Sequence, residues 1–250
     1  MYLPLAAVLV LTVAGVEYLA RRRRQTALWL GGLGLLAVPL GIAAAVRNEV
    51  YRNERTLYAD TRQKLPSNAF NRYNYGKNLQ ESGDLPGAVT EYQAALRLEP
   101  AMYGAANNLG STLRDLGRLP EAEAAYRQAL AVNPNVEGAR YNLGNVLLQL
   151  GRKAEAAEQF NDAILIKPTD VEARDNLGGV LLELNRPQEA EQQFRTVLAL
   201  SHGSAETHCN LGTAYWLEGR RAEARHEFEA ALQLSPGYPL AKQRLADLDR

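Results

Sequence analysis

The sequence predicts an all-α protein: a hairpin of two membrane-crossing helices, then a solenoid of five helix-turn-helix units with a capping helix at each end. Three observations predict it. A six-residue word recurs five times at a step of 34 residues. Within each 34-residue unit, small, bulky and turn-forming residues keep the same places. The first 46 residues hold two long apolar runs separated by RRRRQ.

The apolar runs come first. Residues 2–20 read YLPLAAVLVLTVAGVEYLA and residues 26–46 read TALWLGGLGLLAVPLGIAAAV. Each is about the length that crosses ~30 Å of hydrocarbon at ~1.5 Å per residue. Both are apolar all round, unlike a buried soluble helix pair. A cleaved leader needs positive charge before its apolar stretch; here four Arg follow it. Arg is costly to insert, and cytoplasmic loops collect it. Arg21, Arg22, Arg23 and Arg24 therefore place the link in the cytoplasm, with the N-terminus and residues 47–250 outside. Against this, Arg47, Arg52, Arg55, Arg62 and Lys64 follow the second run, interleaved with Glu49, Glu54 and Asp60. Tyr2, Tyr18 and Trp29 sit near the ends, as interfacial anchors do. Ala37, Gly41 and Ala45 form a ridge for close helix packing, or simply reflect how common small residues are in membrane helices. The hairpin domain is residues 1–47, and 48–68 read as a juxtamembrane capping helix with Tyr58 and Pro66.

The recurring word is NYGKNL at 74–79, NLGSTL from Asn108, NLGNVL from Asn142, NLGGVL from Asn176 and NLGTAY from Asn210. A fixed period of this length marks stacked helical repeats, and five exceed the minimum of about three. Its glycines, Gly76, Gly110, Gly144, Gly178 and Gly212, let the second helix approach the first without a Cβ between them. Ala88, Ala122, Ala156, Ala190 and Ala224 are small for the same reason. Tyr92, Tyr126, Phe160, Phe194 and Phe228 fill the space between helices. Gly83, Gly117, Gly151, Asn185 and Gly219 predict a left-handed cap on each first helix, Asn being the usual substitute for Gly there. Pro100, Pro134, Pro168 and Pro236 end the second helices. His202 stands in the fourth place of that column, which predicts a looser turn. Residues 239–250, PLAKQRLADLDR, read as a polar C-terminal helix that solvates the end of the stack.

Composition excludes several functions. Lys+Arg and Asp+Glu both number 28, whereas a general nucleic-acid binder needs a basic footprint. Residues 1–55 hold seven Arg and three Glu, which leaves 56–250 mildly acidic. Cys209 is the sole cysteine, so no internal disulfide forms. His202, His208 and His226 lack metal-ligand spacing, and there is no phosphate loop or Ser-His-Asp signature. No catalytic site, metal or cofactor is expected.

The 34-residue period and its Gly, Ala, aromatic and Pro columns resemble the tetratricopeptide repeat (TPR). The resemblance implies a right-handed solenoid with repeats at 69–102, 103–136, 137–170, 171–204 and 205–238. It also implies that the first helix of each pair lines a concave groove for protein or extended-peptide partners. Asn74, Asn108, Asn142, Asn176 and Asn210 then form a column facing the groove. A side-chain amide offers both donor and acceptor, which matches a peptide backbone. Such a ladder is similar to that of the TPR superhelix in O-GlcNAc transferase; Asn is also a common consensus choice at this place. Other groove residues are Tyr73, Lys77, Arg114, Tyr141, Asn145, Glu172, Asp175 and Trp216. Acids gather toward the fourth and fifth repeats, as a site for a basic or polar peptide or as a solvated face. The Lys and Arg pattern that grips chaperone C-termini is absent from the five repeats.

The words MYLPLA and RNERTLYADTRQKLPSNAFNRYNYGKNL, with two spans before the repeats, resemble the C-terminal end of the transmembrane-and-TPR family. Those are polytopic membrane proteins of the O-mannosyltransferase type. Their catalytic membrane half has no counterpart here, so Met1 is an internal start, the edge of a fragment or the start of a split subunit. The resemblance implies a multi-pass protein of a cell (inner) membrane with extracytoplasmic or periplasmic repeats. Two roles follow: an anchored scaffold, or a part that presents acceptor protein to a polytopic membrane glycosyltransferase.

Overall fold

The computed structural model describes residues 5–22 and 67–249 except 202, with isolated residues 40, 42–45, 58, 60, 63 and 64 between them. The chain divides into two units, residues 1–63 and 64–250.

In the first unit, α1 spans Leu5–Arg22 and leaves Val10, Leu11, Val13 and Tyr18 largely exposed. It overlaps the first expected span but includes Glu17, Arg21 and Arg22 among its 18 residues. Among the described residues no helix is long and apolar enough to cross a membrane. The second expected span, 26–46, lies outside the described residues apart from 40 and 42–45, as does most of the cap at 48–68. The expected transmembrane hairpin is therefore not found among the described residues.

The second unit is helical throughout its described length, as the sequence leads one to expect. The first (A) helices are α2 Ala69–Glu81, α4 Tyr103–Asp115, α6 Glu137–Gln149, α8 Val171–Glu183 and α10 Ala205–Leu217. The second (B) helices are α3 Leu85–Leu98, α5 Leu119–Val132, α7 Lys153–Ile166, α9 Pro187–Leu200 and α11 Arg221–Leu234. A last helix, α12, spans Pro239–Leu248. Each helix packs on its neighbours in sequence, giving a one-dimensional stack.

Local chemistry sets the helix ends. Asp84 and Asp170 accept hydrogen bonds from the backbone N–H groups of Gly87 (3.0 Å) and Ala173 (2.8 Å), and Ser204 with Thr207 forms a capping box. The A helices end in left-handed residues, including the exception: Asn185 has φ 56° beside Gly151 at 77° and Gly219 at 80°. After α9 the turn takes another path. Ser201 has ψ 171°, where Lys167 and Ser235 have 89° and 91°, and Gly203 has φ 65°.

Inside each pair the aromatic ring lies on the glycine. Tyr92, Tyr126, Phe160, Phe194 and Phe228 are wholly buried. A Cβ on Gly76 or Gly110 would come within 2.8 Å of the ring of its own repeat, on Gly144 or Gly212 within 2.7 Å, and on Gly178 within 2.6 Å. The glycine thus makes room for the ring as well as for the helix. The Ala columns at 88, 122, 156, 190, 224 and at 95, 129, 163, 231 are wholly buried too, with Val197 in the fourth repeat. On the B side, Arg152 reaches Glu123 of the preceding repeat (2.7 Å) and Arg220 reaches Glu191 (2.8 Å). Ala157 stands where those glutamates stand, so the junction of repeats three and four lacks this staple.

Candidate functional site: the A-helix face

Successive A helices touch (α2 with α4, α4 with α6, α8 with α10, α10 with α12), while successive B helices do not make comparable contact. The stack therefore closes on its A side, and that side is the groove.

All five ladder asparagines are half-buried on this side, but they are not equivalent. Asn108 Nδ2 donates to the Tyr73 hydroxyl (3.5 Å, at the long end) and Asn142 Oδ1 accepts from Arg114 Nη1 (3.0 Å). Asn176 Nδ2 donates to the Tyr141 hydroxyl (3.3 Å) and to Asn145 Oδ1 (3.0 Å). Asn74 and Asn210 make no side-chain hydrogen bond among the described residues. The middle three amides thus already link one repeat to the next. The rings of Tyr73 and Tyr141 lie 6.1 Å from Tyr92 and 5.9 Å from Phe160, which ties the groove to the core.

Lys77 and Glu172 are exposed. Trp216, expected on the groove, is half-buried: it packs on the core with the Arg244 guanidinium 4.5 Å from its ring centre. Arg244 comes from α12, which keeps the repeat register. It lies 34 residues after Asn210, and Ala241 is buried as Ala173 is one repeat earlier than Thr207. The polar stretch expected as a solvating end thus holds, over Pro239–Leu248, a shortened sixth A helix with Arg244 at the end of the asparagine column. Its 34-residue offset is the signal that finds it.

Asp175 is the most perturbed groove carboxyl. Burial pushes it up to about 6; the Thr207 hydroxyl, donating to Oδ2 at 3.2 Å, opposes this, and Glu206 and Glu172 add to the rise. Its Oδ1 is buried without a hydrogen-bond partner among the described residues. Asp175, Asn176, Gly179, Glu183, Glu206 and Asn210 line a pocket of about 220 Å³ between α8 and α10.

Reading the sequence alone misses a second column. Arg72, Arg140, Arg174 and His208 cross from A helices to Glu91 (2.9 Å), Asp162 (2.7 Å), Gln193 (2.8 Å) and Glu227 (2.7 Å) on B helices. Three of these four pairs are 19 residues apart, and that recurrence was visible in the sequence. It gives His208 a structural task. Burial pushes Cys209 up to about 11, so its thiol is unreactive. Among the described residues no group of three His, Cys, Asp or Glu could hold a metal ion.

A one-dimensional stack of helical pairs, each touching only its neighbours, defines the class of helical-repeat proteins. Tetratricopeptide-repeat models match residues 73–131 and 107–171, then 171–202 and 205–238, together well over half of the chain. The chain belongs to the tetratricopeptide-repeat family. The fold is similar to the crystal structure of YrrB, described as a TPR protein with an unusual peptide-binding site. That match has a TM-score of 0.71 at 24% identity and covers 76% of this chain and 97% of that one. MamA matches with a TM-score of 0.64 at 23% identity, covering 67% and 92%. The Pseudomonas aeruginosa pilF structure gives 0.64 at 19% identity, covering 84% and 95%. Among curated proteins, human and mouse "Protein O-mannosyl-transferase TMTC1" are 36% identical over 63 residues. That stretch is 25% of this chain and 7% of theirs.

Proposed function

We propose that this chain is a membrane-anchored scaffold that holds extended protein segments along its A-helix groove and performs no catalytic step itself. The observation that carries this is the asparagine column, five half-buried amides at one place on successive A helices. The anchor rests on the apolar sequence of 26–46 and on the exposed apolar surface of α1. The Arg cluster at 21–24 supports an extracytoplasmic solenoid at a cell (inner) membrane.

Photo-crosslinking tests the groove. A benzophenone side chain placed at Asn145 on the groove face, or at exposed Glu158 on α7, is challenged with a library of capped nonapeptides. Adducts are expected at 145 and not at 158; equal labelling, or none at 145, rejects the groove. Alkaline carbonate extraction tests the anchor: the chain is expected in the membrane pellet, and release into the supernatant rejects it.

The match to the O-mannosyl-transferases favours a second reading, that the chain presents acceptor protein to a polytopic membrane glycosyltransferase. Co-purification in mild detergent separates the two, because only the second predicts a polytopic transferase in the eluate.

A further inference from the structure

Along the groove, side chains bridge each of the first three junctions to the asparagine of the next repeat: Tyr73 to Asn108, Arg114 to Asn142, and Tyr141 with Asn145 to Asn176. Between repeats four and five no such side chain reaches Asn210 among the described residues, and Asp175 instead accepts from the Thr207 hydroxyl at 3.2 Å. In register with Tyr73 and Tyr141 stands Asp175, too short to replace a tyrosine. In register with Asn145 stands Gly179, where an added Cβ would meet nothing within 4 Å. These two losses of side chain coincide with the pocket of about 220 Å³. They also leave unused polar groups on its wall. Among the described residues Asp175 Oδ1 is buried with no partner, and the half-buried Asn210 side chain makes no hydrogen bond.

The charge on this wall is uncompensated. Among the described residues no Lys or Arg pairs with Glu172, Asp175 or Glu206, while Glu183 at the rim is taken by Lys153 (2.8 Å). Burial raises the affinity of Asp175 for protons, and the nearby Glu206 and Glu172 add to the rise. A fold gains nothing from a half-buried carboxylate beside two like charges. Every other groove position at this register is Tyr, Asn or Cys.

We infer that this pocket takes a basic side chain, Lys or Arg, of an extended polypeptide lying in the groove. Asp175 and Glu206 supply the opposite charge, and the Asn210 amide holds the adjoining peptide group. The inference rests on the groove reading above and names the class of its ligand.

The test uses the full chain in mild detergent and fluorescent capped nonapeptides of Ser and Gly with one central Lys, Arg, Leu or Glu, read by fluorescence anisotropy. Lys and Arg peptides are expected to bind about tenfold more tightly than Leu, and Glu more weakly than Leu. Asp175→Asn and the exposed Glu206→Gln are each expected to erase most of that preference for Lys and Arg over Leu. Equal binding of Lys and Leu peptides, or a preference that survives both substitutions, overturns the basic pocket and leaves the groove reading standing. Absence of binding by all four peptides, together with no crosslinking at position 145, rejects both.

Discussion

Two faces of the same A helices behave differently. The face turned to the B helix repeats itself: glycine under an aromatic ring, five times, with the ring wholly buried each time. The face turned to the groove changes at every junction, from Tyr–Asn to Arg–Asn to Tyr–Asn with Asn145, and then to Asp175 with Thr207, which leaves Asn210 untouched among the described residues. Close packing leaves one solution for the first face, since a methylene too many costs about 1–3 kcal/mol. The second face is half in water, where several polar pairs serve equally well.

The sharpest way to break this comparison is at the ring. Phe160→Ala is expected to cost ~3–5 kcal/mol in urea unfolding. Because the units stack in one dimension, the melt should then divide into separate transitions. A loss below ~1 kcal/mol would show that the two faces tolerate change alike. The groove amides give the next effect. Asn108, Asn142 and Asn176 changed together to Ala should cost roughly 1–3 kcal/mol, because each loses a bond to a neighbouring repeat. Asn74 and Asn210 changed together should leave the thermal midpoint within about 2 °C. Equal losses in the two sets would mean that the inter-repeat bonds contribute nothing.

Asp175 sharpens the comparison through pH. Its folded-state affinity for protons is raised from 3.8 to about 6. Folding therefore favours the neutral form. That advantage is present below pH 3.8 and is lost as pH rises through about 6. The thermal midpoint of Asp175→Asn should match the parent at pH 3.5 and exceed it at pH 7.5, by an amount worth on the order of 1 kcal/mol after allowance for solvent screening. A constant difference across that range would place the carboxyl in open solvent. The smallest effect lies on the B side. Ala157→Glu should install the missing staple with Arg186 and add ~0.3–0.5 kcal/mol, diminished by salt.

The core was legible because its constraint is written on one residue at a time. A glycine such as Gly144 and a ring such as Phe160 each announce their places by type, and Asn185 announced its left-handed cap. The groove was legible only as a set of positions. Nothing in the letters says that Arg114 turns to Asn142 or that Arg244 covers Trp216, because long side chains choose among several partners. The α12 helix was read as a solvating end by its polarity, which concealed a register visible by counting. The N-terminal hairpin rested on the length of two apolar runs and on where Arg, Tyr and Trp fall beside them, whereas α1 brings Glu17, Arg21 and Arg22 into one helix.

Since the glycine and the ring that covers it belong to the same 34-residue unit, each unit carries its lock and its key together. Gene duplication or loss of one unit would leave every such fit intact and would only lengthen or shorten the row of amides. A lineage can therefore alter the length of the groove in whole steps without redesigning the interior.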